Sequence, residues 1–164
     1  MATLIQSELE ISTERLTPQW LAGFFDGEGC ISITNRHNGS GVNYPRLSVT
    51  ITQSEPTLLT LIGLKFTNDL GDVVCPVRKG TKKEKKPCYS LRMTGKNARP
   101  FLEYVRPYVI LKRKLVEWAI EMTELTGERG RRDLLTPENM SRRTELMQNV
   151  ITENSSKREI SLVS

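Results

Sequence analysis

The chain is poor in the residues from which many sites are built. It has one histidine, His37, and three widely spaced cysteines, Cys30, Cys75 and Cys88, with no CxxC among them. That scarcity argues against a disulfide framework and a structural zinc site, and it excludes nuclease chemistries that need several histidines. Hydrophobic residues make up 37% of the 164 positions and aromatics 6%, which suits one domain with a modest core. No apolar run approaches the ~20 residues of a membrane span. The first residues carry Glu8, Glu10 and Glu14 and lack the basic-then-apolar pattern of a secretory signal. We therefore expect an intracellular protein, in the cytoplasm or an organelle matrix, with no membrane partner.

Acid is scarce where base is abundant. The net charge is +5, yet between Asp72 and Arg99 nine Lys/Arg face two acids, a local +7. A concentrated basic stripe is the footprint of a polyanion partner. A solvated basic loop at Lys82–Lys86 is the plainer alternative.

The residues around which the chain is organised are Leu21–Gly29, LAGFFDGEG. Thr17 can cap a helix and Pro18 fits its first position. Gly27 and Gly29 are expected to end it. Gly23 and Gly27 share a face on which a second backbone could approach closely. The stretch ends in Asp26 and Glu28, at the negative end of the helix dipole, where more negative charge is costly. A bound divalent cation would offset that cost. A small core helix ending in solvated acids is the bland alternative.

Residues 1–16 read as a flexible lead-in. Ile31 and Ile33 alternate with Ser32, Thr34 and Arg36; after the turn signal Asn38–Gly41, Leu47, Val49 and Ile51 alternate with Arg46, Ser48, Thr50 and Thr52. That is a hairpin with one apolar and one polar face. Ser54 and Pro56 can start a second helix carrying Leu58, Ile62 and Phe66, with Gly71 after it. A second strand pair follows, Val73–Lys79, weakened by Pro76, and Pro87–Thr94. Helices are expected over Lys96–Val105, over Leu111–Thr126 with Leu115, Trp118, Ala119 and Met122 inward, and over Pro137–Asn154. The last is mostly polar and reads as peripheral, with a mobile tail over 155–164. The body of the domain is 17–154. The polar sheet face bears hydroxyl, amide and guanidinium groups but almost no acid. Such groups can bond base edges in a major groove that admits a two-stranded ribbon.

The nine-residue stretch resembles the signature of the LAGLIDADG homing endonucleases, and the element order over roughly 17–126 is similar to theirs. The resemblance implies an α+β protein: the αββαββα homing-endonuclease fold with a saddle-shaped antiparallel sheet on DNA, plus C-terminal helices. A single motif implies the homodimeric branch, with Ala22, Gly23, Asp26 and Gly27 at the interface and a pseudo-palindromic DNA site. By the same resemblance Glu28 is the metal ligand, joined by the Gly27 carbonyl. Gln53 lies near the attacking water, and Lys112 is the active-site lysine. Asp26 reads as a structural or supporting acid. The cofactor would be Mg2+, or Mn2+ or Ca2+ at the same site. The DNA-binding set would be Ser32, Thr34, Arg36, Asn38, Tyr44, Arg46, Ser48, Thr50, Arg78, Lys79, Ser90 and Arg92. Four residues after the glutamine, relatives often carry a base, but this chain has Thr57; Arg113 or Lys65 could stand in for it, or turnover would be slower. The expected activity is cleavage of double-stranded DNA at an intron-homing site, leaving 3′ overhangs. The alternative is a catalytically silent DNA-binding regulator or a maturase acting on intron RNA.

Overall fold

The computed structural model describes residues 13–37, 43–66, 75–76, 88–125 and 136–163. Asn38, Arg78 and Lys79, the basic loop and the stop signals at Gly71 and Gly127 lie outside them.

The first helix, α1, spans Pro18–Glu28; the Thr17 hydroxyl accepts from the Trp20 amide at 3.3 Å and Pro18 occupies the first turn. Leu21, Ala22 and Phe25 form its buried stripe. Of the two expected glycine stops, Gly29 holds as the C-cap, its amide donating to the Phe25 carbonyl, and Gly27 does not. Gly27 lies inside the helix, and Gly29 is extended, with φ −81° and ψ 152°, so the helix runs straight into a strand. Glycine at 29 answers a space requirement: a Cβ there would come within 2.0 Å of the Phe25 ring.

Strand β1 (Gly29–His37) pairs antiparallel with β2 (Asn43–Gln53), in the register Gly29 opposite Ile51 and Ile33 opposite Leu47. Helix α2 covers Pro56–Phe66. Its first free amide is capped by the Glu55 carboxylate, which accepts from the Thr57 amide at 3.0–3.1 Å, and not by the expected Ser54. Within the described part of the second strand pair, β3 is Cys75–Pro76 and β4 is Tyr89–Thr94, giving the sheet order β1-β2-β4-β3. A 3-10 turn over Gly95–Ala98 leads into α3 (Arg99–Val105), and α4 follows at Arg113–Glu124.

Strand periodicity of two sends Ile31, Ile33, Leu47, Val49, Ile51, Leu91 and Met93 to one face, where all are buried under the helices. Each such side chain contributes about 1.5–3 kcal/mol on burial. Beneath α1, Phe25 and Phe66 both meet the Phe101 ring edge-to-face, with centroids 5.1 and 5.4 Å away. On α4, Leu115, Ala119 and Met122 point inward as expected, joined by Val116 and Ile120.

Residues 13–16 and the last helix are better anchored than their sequences suggest. Leu16 is buried, the Tyr104 hydroxyl donates to its carbonyl at 2.9 Å, and Lys65 Nζ donates to the Thr13 carbonyl at 3.0 Å. Residues 13–16 are therefore part of the fold, not of a loose lead-in. The last helix, α5, runs Pro137–Val163, past the Asn154 boundary and through the expected tail. Nor is it peripheral. Leu146, Met147 and Val150 enter the core, Arg143 donates to the Pro45 carbonyl at 2.6 Å, and Asn154 donates to the Ile31 carbonyl on edge strand β1 at 3.0 Å.

Candidate catalytic centre and nucleic-acid interface

The sheet's second face is polar because the same periodicity turns the alternate residues outward. The pairing sets them in rows: Cys30, Thr50 and Arg92; Ser32, Ser48 and Thr94; Thr34 beside Arg46; Thr52 beside Ser90. No Asp or Glu stands among these outward positions of the described strands. Arg46 reaches diagonally to the Thr94 hydroxyl at 3.0 Å, and the Ser48 and Thr50 hydroxyls lie 3.5 Å apart. Thr34, Arg36 and Arg92 are exposed. Tyr44 is half-buried, its ring centroid 6.0 Å from the Arg143 guanidinium carbon, so α5 steadies it from behind. Thr94 joins the surface as the next outward residue after Arg92, and strand pairing brings it within reach of Arg46.

The chemistry-bearing side chains gather at the end of α1. Glu28 closes the helix, exposed and without a hydrogen-bond or ion-pair partner among the described residues. Gly29 opposite Ile51 brings the end of β2, where Gln53 lies, level with that helix end. Lys112, from the loop before α4, donates through Nζ to the main-chain oxygen of Asp26, with the Phe25 ring centroid 5.9 Å from the ammonium. Residues far apart in sequence thus meet at one helix terminus. Asp26 has a definite task there. Its carboxylate accepts from the amides of Ile110 at 2.7 Å, Leu111 at 3.1 Å and Lys112 at 3.0 Å.

The remaining faces of α1 divide sharply. Trp20, Gly23 and Gly27 follow helical spacing on the side away from the core, and Phe24 beside them is half-buried against its edge. Trp20, Gly23 and Gly27 are exposed, and a Cβ at either glycine would meet nothing within 4 Å. The Trp20 and Phe24 rings stack at 5.3 Å. Ala22 corrects the expected interface set: it is fully buried in its own chain. Asp26 likewise faces its own 110–112 loop.

A family model for LAGLIDADG endonucleases matches residues 21–119. The chain belongs to that family. No curated protein sequence matches it. Among solved structures, the homing endonuclease I-CvuI, in complex with its target in the presence of Ca, is 23% identical, with TM-score 0.57 over 83% of this chain and 80% of that one. The homing endonuclease I-TnaI is 20% identical, with TM-score 0.58 over 88% and 98%. An archaeal intron-encoded homing endonuclease, I-Vdi141I, complexed with DNA, is 15% identical with TM-score 0.62 over 83% and 82%. At these identities the likeness is one of fold, and it agrees with the αββαββα reading of this LAGLIDADG chain.

Of the two stand-ins for a base at Thr57, Lys65 donates to the Thr13 carbonyl and lies 5.1 Å from the Tyr104 ring centroid. Arg113, next to Lys112 in sequence, is exposed. Thr57 itself donates its hydroxyl to Glu55 at 2.7 Å. These bonds from Thr57 hold the Glu55 carboxyl below its usual pKa. No helix among the described residues is long and apolar enough to cross a membrane.

Proposed function

We propose that this LAGLIDADG chain is a site-specific endonuclease for double-stranded DNA. In this reading it acts as a homodimer on a long pseudo-palindromic site of the intron-homing kind. What supports the reading is Lys112 bonded to Asp26 two residues from the exposed Glu28, with the end of β2 beside that helix end, and a sheet whose open face bears arginines and hydroxyls but no acid among the described strand residues. An intracellular setting, cytoplasm or organelle matrix, goes with a DNA substrate.

The oxygen donors fit a hard divalent cation, Mg2+ or else Mn2+ or Ca2+. Glu28 offers an exposed carboxylate at a helix end that is already electronegative, and the Gly27 carbonyl is adjacent. In this reading the ligand set is completed by DNA phosphate and by Glu28 of a second copy. The open stripe of Trp20, Gly23 and Gly27 suits that second copy, since small residues let two helices approach.

When bound, the cation supplies positive charge where the reacting phosphodiester gains negative charge. Lys112 adds a compact point cation on the same side. Gln53 can orient a water by its amide. Ser32, Thr34, Arg36, Tyr44, Arg46, Ser48, Thr50, Ser90 and Arg92 hold the duplex and read it. Hydrolysis of one strand by each subunit, across the minor groove, would leave 3′ overhangs. A maturase role on intron RNA uses the same basic face and is the second reading; competition between RNA and DNA separates the two.

The test is selection for cleavage. Purified protein is incubated with a randomised DNA library in Mg2+, the cut ends are captured, and Glu28→Gln is run in parallel. The expected result is a pseudo-palindromic cut site that disappears in the variant while specific binding persists. Normal cutting by Glu28→Gln would sink the metal-ligand assignment, and enrichment of bound but uncut sequences would mark a DNA-binding relative.

A further inference from the structure

We infer that Asp26 is the positioning residue for Lys112, clasping the 110–112 loop to the end of α1. This rests on the nuclease reading for the use of Lys112, and on geometry alone for the clasp.

Two helix ends meet at this point, and each lacks something the other has. Lys112 is the N-cap residue of α4 and provides no side-chain cap. Its amide and the two before it stand at the positive end of that helix and need acceptors. Asp26 lies in the last turn of α1, where a carboxylate is disfavoured by the helix's own dipole. Placed against α4 instead, both of its oxygens are used: Oδ2 accepts from Ile110 and Leu111, and Oδ1 from Lys112. The bond in the other direction closes the clasp. The Lys112 ammonium donates to the Asp26 main-chain oxygen, a carbonyl in the last turn of α1, where partners within the helix run out.

Ile110 is 81% and Leu111 69% exposed, so beyond Val109, at 5%, hydrophobic burial does not fix the loop. Each of its three amides bonds to one carboxylate, and that carboxylate is two residues from Glu28. A shift of this loop would move the Lys112 ammonium relative to Glu28, and misplacement by about 1 Å can cost about 10²-fold in rate. With both oxygens committed to amides, Asp26 is assigned to the loop, and of the two acids it is Glu28 that is left for the cation.

The experiment is a double-mutant cycle on the cut site recovered by selection, using full-length wild type, Asp26→Asn, Lys112→Met and the double variant. Single-turnover cleavage in Mg2+ and DNA affinity in Ca2+ are read for each. Asp26→Asn should slow cleavage by about 10²-fold with affinity unchanged, and the double variant should be no slower than Lys112→Met alone. Amide hydrogen exchange on wild type provides an independent reading: the amides of Ile110, Leu111 and Lys112 should be protected despite the exposure of the first two side chains. Multiplicative losses in the double variant, or free exchange at those amides, would overturn the inference. A wild type with protected amides that cuts no DNA would overturn the nuclease reading while supporting the clasp.

Discussion

The arginines of the helical side and those of the sheet face live in opposite circumstances. On the helical side they are matched with acids. Arg106 meets Glu117 at 2.7 Å, Arg99 meets Glu103 at 2.7 Å and Glu124 at 3.2 Å, and Arg142 meets Glu121 at 2.6 Å and Glu145 at 2.8 Å. On the sheet face, Arg46 has only the Thr94 hydroxyl, and Arg36 and Arg92 have no partner among the described residues. A surface meant only for water gains nothing by leaving charge of one sign unanswered. Among the described residues, Arg99, Arg106 and Arg142 are answered by acids, although Arg113 is not, whereas the arginines of the sheet face are left for a polyanion. This contrast, more than net charge, locates the proposed DNA contact.

The largest effect that could break the contrast is on binding. Arg46→Ala and Arg92→Ala should each weaken binding to the preferred DNA site by roughly tenfold to hundredfold and reduce the salt dependence. Arg106→Ala should change neither, because its charge is already satisfied and is exposed. Equilibrium titrations at several salt concentrations check this. Equal losses from both sides of the molecule would remove the sheet from its assigned role.

Arg143 belongs to neither group, and it sharpens the comparison by a second route. It is only 3% exposed, and burial pushes its guanidinium pKa down. Its Nε has no hydrogen-bond partner among the described residues; what it does have is the Pro45 carbonyl, the Met140 sulfur and the Tyr44 ring. Arg143→Ala strands a buried carbonyl and opens space, and should cost about 2–3 kcal/mol of stability. Arg143→Met fills the space without a buried charge and should cost less. Urea unfolding decides it, and equal losses would mean that packing of the stem is irrelevant.

These residues also mark how far the sequence could be read. The motif helix, the hairpin and the two faces of the sheet were legible because capping chemistry at Thr17-Pro18 and strict alternation through Ile31–Ile33 and Leu47–Ile51 are local signals. Glu28 stood out because acids at a helix C-terminus conflict with the dipole. Asp26 raised the same conflict, but its answer lies more than eighty residues away, in three amides that no side-chain pattern encodes. The depth of α5 was hidden for a similar reason. Arg143 and Asn154 read as solvated polar residues, yet they bond to the backbone of β2 and β1. Ala22 was placed on the wrong side because small size alone does not say whether a residue faces a neighbour or its own core.

The smallest effect lies at Thr57, where the family resemblance leads one to expect a base. Thr57 is tied to Glu55, whose carboxylate also caps α2. Because these bonds favour the ionised form, the folded pKa of Glu55 lies below its ordinary 4.5. The unfolded chain therefore takes up the proton first as pH falls. The stabilisation is fully present above the unfolded value and is lost as pH drops through the folded one. Wild type should be slightly more heat-stable than Glu55→Gln near neutrality, and the gap should close only below the ordinary carboxylate range. Thermal melts of both from pH 7 down to pH 3 check this, and a gap unchanged throughout would show that the cap does not depend on charge. Cleavage near neutral pH should be insensitive to the substitution, because the Thr57–Glu55 pair completes a helix end, as the ion pairs of the helical side do, and leaves the phosphodiester to Lys112.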